Sequence, residues 1–112
     1  MTAFLEGPLF FLGRPQPRVL DVALLRLDNS KVALLFSREV TAQRHLGVAP
    51  PGTVVQSVTD LRAKEELFRA ALARGADEVW LDAEMELEPV LRYPLQRALD
   101  YVLSFKRQSA CI

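Results

Sequence analysis

Val54 to Asp82 reads VVQSVTDLRAKEELFRAALARGADEVWLD. Thr53 to Val58 carries four β-branched residues in six, as a short strand requires. Thr59 or Asp60 can cap a helix, and Leu61, Leu67, Phe68, Ala71 and Leu72 then recur at helical spacing. Lys64, Glu65, Arg69 and Arg74 are placed away from that face, with Arg62–Glu66 and Glu65–Arg69 as i,i+4 ion pairs. Gly75 supplies the left-handed residue that ends such a helix. Glu78 to Asp82, with Val79, Trp80 and Leu81, is a second buried strand. Strand, helix and strand make a βαβ unit over 53–82, and a right-handed crossover makes its two strands parallel.

Upstream, Val32 to Phe36 (VALLF) is another apolar run of strand length, and Ser37 is placed to cap a helix from Arg38 to Leu46. That helix stops at Gly47, and Pro51-Gly52 suits the central pair of a type II turn. Val19 to Leu27 fits neither a helical nor an alternating pattern cleanly. The turn chemistry of Asp28-Asn29-Ser30 favours a hairpin, with its turn at Asp28 to Lys31. Leu9 to Leu12, closed by Gly13 and followed by Pro15 and Pro17, suits an edge strand.

Downstream, Glu84, Glu86 and Glu88 alternate with Met85 and Leu87, the period of a half-exposed strand. Pro94 opens a last helix from Leu95 to about Phe105, with Leu95, Ala98, Leu99, Val102 and Leu103 as its apolar stripe. The fold expected is a single α/β domain over 1–112, with a mixed sheet of four to six strands and about three helices.

The chain has 112 residues, enough to bury a core without a disulfide or metal staple. Its 14 basic and 14 acidic residues cancel, so no global field draws it to phosphate backbones or anionic lipid. Nucleic-acid contact would need a local basic face, such as Arg14, Arg18, Arg26 and Arg38. No run approaches the ~20 apolar residues of a membrane span, and the one cysteine, Cys111, has no internal partner. A reduced, cytoplasmic protein without a membrane segment is expected.

Candidate chemistry is sparse. Between Gly75 and Arg92 stand six acids and no base: Asp77, Glu78, Asp82, Glu84, Glu86 and Glu88. Asp82 and the three alternating glutamates are the candidate ligands for a divalent cation such as Mg²⁺ or Ca²⁺. A strand spaces same-face carboxylates by about 6.5–7 Å, however, which spreads them rather than converging them. Ser37 and His45 lie about 12 Å apart along one helix, too far for a nucleophile–base pair. The glycines and prolines of 47–52 match no phosphate-binding loop. No cofactor is implied.

Half of the residues are apolar, a generous share for a small soluble domain. Leu9, Phe10 and Phe11 near one end, and Tyr93, Arg97, Tyr101 and Phe105 near the other, are residue types that anchor interfaces. With balanced charge and no assembled catalytic set, the expected function is a non-enzymatic protein-interaction module. It would form a homo-oligomer or bind another protein. The alternative is a small cation-dependent enzyme or ligand binder using the acidic run.

Val32–Ser37 (VALLFS) leading into a helix, and ALARGADEVWLD from Ala71 to Asp82, resemble the N-terminal domain of SseB-type proteins, a small bacterial family. The resemblance covers roughly half the chain. It departs at Asp82-Ala83, where the family carries Asn-Pro. It implies a mixed α/β sandwich and brings no catalytic residue to this chain.

Overall fold

A computed structural model describes residues 7–16, 20–83 and 91–110. In chain order the elements are β1 (Leu9–Gly13), β2 (Leu24–Leu27), β3 (Ser30–Phe36), α1 (Glu39–Leu46), β4 (Val54–Val58), α2 (Leu61–Ala73), β5 (Glu78–Leu81), β6 (Leu91–Pro94) and α3 (Leu95–Ala110). The six strands form one mixed sheet ordered β4-β1-β3-β5-β6, with β2 paired to the first half of β3. The expected α/β architecture is present, with six strands and three helices among the described residues.

β4 runs antiparallel to β1, β1 antiparallel to β3, and β3 parallel to β5. β4 and β5 therefore point the same way, as a βαβ unit requires, but with β1 and β3 inserted between them. Asp60 caps α2, its carboxylate accepting the Ala63 N–H at 2.7 Å. At the other end Ala76 N–H reaches Ala71 O and Gly75 N–H reaches Leu72 O. That double closure is a Schellman turn, and Gly75 at φ 91 is its left-handed residue.

The sheet is covered on both faces. On one, Leu9, Phe11, Ala33, Leu35, Val58, Val79 and Leu81 pack against Leu67, Phe68 and Ala71 of α2 and Leu95, Ala98, Leu99 and Val102 of α3. On the other, Leu12 and Phe36 meet Ala42 of α1, while Val32, Trp80 and Ala83 form an adjoining group. No helix among the described residues is long and apolar enough to cross a membrane.

Three local expectations are corrected. β1 is an interior strand rather than an edge, hydrogen-bonded to β4 on one side and β3 on the other. Pro15 and Pro17 lie beyond its last residue, so no proline interrupts either ladder. Second, β2 begins only at Leu24, and the Asp28-Asn29 turn is tighter than the one expected, pairing Leu27 with Ser30. The preceding segment instead anchors through the Ala23 N–H to Leu12 O. Third, Lys64 does not face solvent: it is fully buried on the inner face of α2.

Gly13 is fixed by that anchoring. A side chain there would place its first carbon 1.6 Å from the Asp21 carbonyl oxygen, so only glycine allows the backbone to pass. Val19 is outside the described residues, as are the expected strand over 84–88, Pro89 and Cys111.

Candidate functional site

The carboxyl ends of the parallel strands β3 and β5 are where α/β folds commonly place their chemistry. Here they bring together Ser37, Asp82, Ala83 and His45. Asp82 follows β5 with φ 58, a left-handed conformation that Asp tolerates better than most residues. Its carboxylate accepts the Ser37 N–H at 2.8 Å and the Ser37 hydroxyl at 2.6 Å. Ser37 thus caps no helix. Arg38 occupies the N-cap of α1 without a side-chain bond, because the serine is turned toward β5.

His45, buried at the far end of α1, sets its Nε2 2.8 Å from the Ala83 carbonyl and tilts against Phe36 with ring centroids 5.0 Å apart. A carbonyl oxygen only accepts, so Nε2 carries the hydrogen and is not a base available to a hydroxyl. The four residues resemble a nucleophile, a base and an acid in composition only. They tie the start and the end of α1 to the backbone after β5, and no serine–histidine pair is formed.

The three acids of the run that lie among the described residues have separate partners. Asp77 accepts the Lys31 N–H at 3.2 Å. Glu78 receives Arg92 through two bonds, of 2.6 and 3.3 Å, while the Arg92 guanidinium lies 5.2 Å from the Trp80 ring. The bond from Arg92 holds the Glu78 carboxyl below its ordinary range, against the opposing effect of burial. Both oxygens of Asp82 are occupied by Ser37. Glu84, Glu86 and Glu88 lie outside the described residues. Among the described residues no three His, Cys, Asp or Glu side chains converge as metal ligands would.

Hollows on the surface offer little to a small molecule. One beside His45, lined by Leu12, Leu24, Leu34, Val48 and Pro50 among others, holds about 150 Å³. Ligand pockets usually begin near 300 Å³. Two larger depressions, of about 550 and 420 Å³, are polar and include side chains that already have partners. Asp77 in the first is held by Lys31, and Asp21 in the second by Arg74 and the Arg14 N–H.

The expected interface residues separate into two sets. Leu9 and Phe11 are fully buried in the main core and Phe10 is half-buried against the α1 side, so the first aromatic run closes the sheet. Tyr93 lies in β6 and is half-buried against the core. Arg97, Tyr101 and Phe105 follow one another at four-residue spacing along α3, and of these Arg97 and Phe105 are exposed.

Sequence reasoning gave no sign of which other large apolar side chains are exposed. Large apolar side chains exposed among the described residues are Leu27, Val40, Val48, Val54 and Phe105. Three of these five belong to α1, the turn after it and β4. Val48 is 74% exposed and Val54 41%, although Val54 sits in a strand. Hydrophobic spacing alone assigned β4 to the sheet and gave no sign that its position would be terminal.

Lys64 was missed for a different reason. Positions 61, 64, 67, 68 and 71 are one helical face, but a lysine on it reads as a charge rather than as core. Its Nζ donates to the Gly7 carbonyl at 2.8 Å, joining α2 to the segment that enters β1. Burial lowers its pKa, partly countered by the nearby Asp60 carboxylate. Comparison of the sequence with family models and with curated proteins finds no match.

Proposed function

We propose that this chain is a non-enzymatic protein-interaction module that associates with a second copy of itself in the cytoplasm. The observation that supports this most is β4, which among the described residues ends the sheet with neither a charge nor a proline in its five residues and leaves Val54 exposed. An unguarded strand edge favours a partner strand, since its outward backbone groups form a ready template for pairing. The SseB-type resemblance of Val32–Ser37 and Ala71–Asp82 fits a small α/β domain without a catalytic set. The closed Ser37–Asp82 and His45–Ala83 contacts agree with that reading, since neither leaves a nucleophile and a base facing each other.

Sedimentation equilibrium of the purified chain is the direct test. A mass that rises from monomer to dimer with concentration supports self-association. A single monomeric species over the whole accessible range overturns it.

A further inference from the structure

We infer that two copies join through β4, pairing antiparallel across a two-fold axis at Gln56 so that their sheets become one. This rests on the self-association proposed above and specifies the surface and register by which it occurs.

The inference begins with the edges of the sheet. Among the described residues no further strand adjoins β4, β6 or the outer side of β2. Natural sheets protect such edges with charges and prolines. β6 has Arg92 and ends in Pro94, and β2 carries Arg26. β4 (VVQSV) has neither device over five residues. Its backbone groups on the outer side alternate N–H and C=O, and what satisfies such a row is another strand. The chemistry of the edge therefore specifies its occupant more closely than an apolar patch could.

A second copy fits that requirement. Full antiparallel overlap sets Gln56 opposite Gln56, Val55 opposite Ser57 and Val54 opposite Val58. No charged residue faces another, so the like-charge repulsion that disfavours many self-pairings is absent. Val54, Gln56 and Val58 share the face of β4 that carries Leu9 and Phe11 on β1, as their register shows. The exposed Val54 thereby gains the partner's Val58 as a cross-strand neighbour on the same face. Because the axis uses the one edge of each copy that lacks those devices among the described residues, the assembly closes at two and does not continue as a fibre.

Cysteine cross-linking reads the register. In a Cys111→Ser background, Gln56→Cys places two thiols on the axis, with Cα atoms about 4.5–5.5 Å apart. That lies within the span a disulfide bridges. Val54→Cys places its two thiols roughly 14 Å apart along the strands, beyond reach. Under mild oxidation the first variant should become a covalent dimer and the second should remain unlinked. The unmodified chain supplies a measurement free of substitution: outward-facing β4 amides should exchange at least tenfold more slowly at dimeric than at monomeric concentration. If the chain dimerises by sedimentation but the β4 amides gain no protection, β4 pairing is overturned and self-association stands. If both variants cross-link equally, the two-fold register is overturned. If the chain is monomeric throughout, both proposals fall.

Discussion

Asp82 gives both carboxylate oxygens to Ser37, one to its N–H and one to its hydroxyl, across 45 residues of sequence. The contact joins the ends of β3 and β5 and holds Asp82 in a left-handed backbone at φ 58. Strain and hydrogen bonding oppose each other there, and substitutions separate them. Asp82→Ala keeps the strain and loses both bonds, with an expected cost of about 1.5–3 kcal/mol, since bonds to a charged group at an exposed site are partly replaced by water. Asp82→Gly loses the same bonds but relieves the backbone, so it should be about 1 kcal/mol less damaging than alanine. Asp82→Asn still accepts the Ser37 N–H and should fall nearest the wild type. Urea denaturation of the three variants checks that order, and an alanine variant as stable as the glycine one would remove the strain argument.

Gly13 makes a sharper demand. A methyl group at this position would collide with the Asp21 carbonyl, and backbone on both sides would have to move. Gly13→Ala should cost about 3 kcal/mol or more, or prevent folding. Gly47→Ala is the control. Its φ of −63 is helical and its nearest neighbour, the Arg44 carbonyl, is at 3.9 Å. There alanine should be neutral or stabilising by about 0.4–1 kcal/mol. Thermal melts of the pair distinguish a steric requirement from a general sensitivity of turns.

The contrast between what was legible in the sequence and what was not follows from the range of the interactions. Asp60, Gly75 and the apolar positions of α2 act within a few residues of themselves, and their caps and core face could be read directly. The Ser37–Asp82 contact could not, because Ser37 is a good helix cap on local grounds and only the tertiary position of β5 redirects it. The prolines that follow β1 point to an edge, yet strand order depends on which strands pack beside it. Lys64 occupies a legible core position with an unexpected residue type. Asp77, Glu78 and Asp82 read as one acidic feature in the sequence, because their partners, Lys31, Arg92 and Ser37, come from three other places in the chain.

Two carboxylates connect stability to pH. Glu65 is held below its ordinary pKa chiefly by the bond from Lys106 of α3, then by Arg69, and Glu78 chiefly by Arg92. A carboxyl whose folded pKa lies below its unfolded value of about 4.5 stabilises the fold at neutral pH. That contribution is lost as pH falls below 4.5 and through the folded value. Wild-type stability should therefore decline on acidification more steeply than that of a Glu65→Gln/Glu78→Gln variant, and the gap between them should close at the lowest pH. Denaturant midpoints between neutral and strongly acidic pH test this. Parallel pH profiles for the two proteins would show that neither ion pair contributes.

Lys64 gives the opposite dependence on pH. Its side chain is buried on α2 and donates to the Gly7 carbonyl, so folding withdraws a charge from water. Burial places the folded pKa below the unfolded 10.5. As pH rises through that window the unfolded chain loses its advantage in holding the proton, and the fold gains stability until both states are neutral. Methionine has similar length without the charge, and the Gly7 carbonyl it leaves is at an exposed residue that water can reach. Lys64→Met should therefore be within about 1 kcal/mol of the wild type at neutral pH, or above it. Any advantage should shrink as pH approaches 10.5. Lys64→Ala removes the packing of the stem as well and should be destabilising at every pH. Denaturation of the three proteins from neutral pH to the alkaline limit decides the matter. A methionine variant that loses several kcal/mol at neutral pH would show that the ammonium's bonds outweigh the cost of burying it.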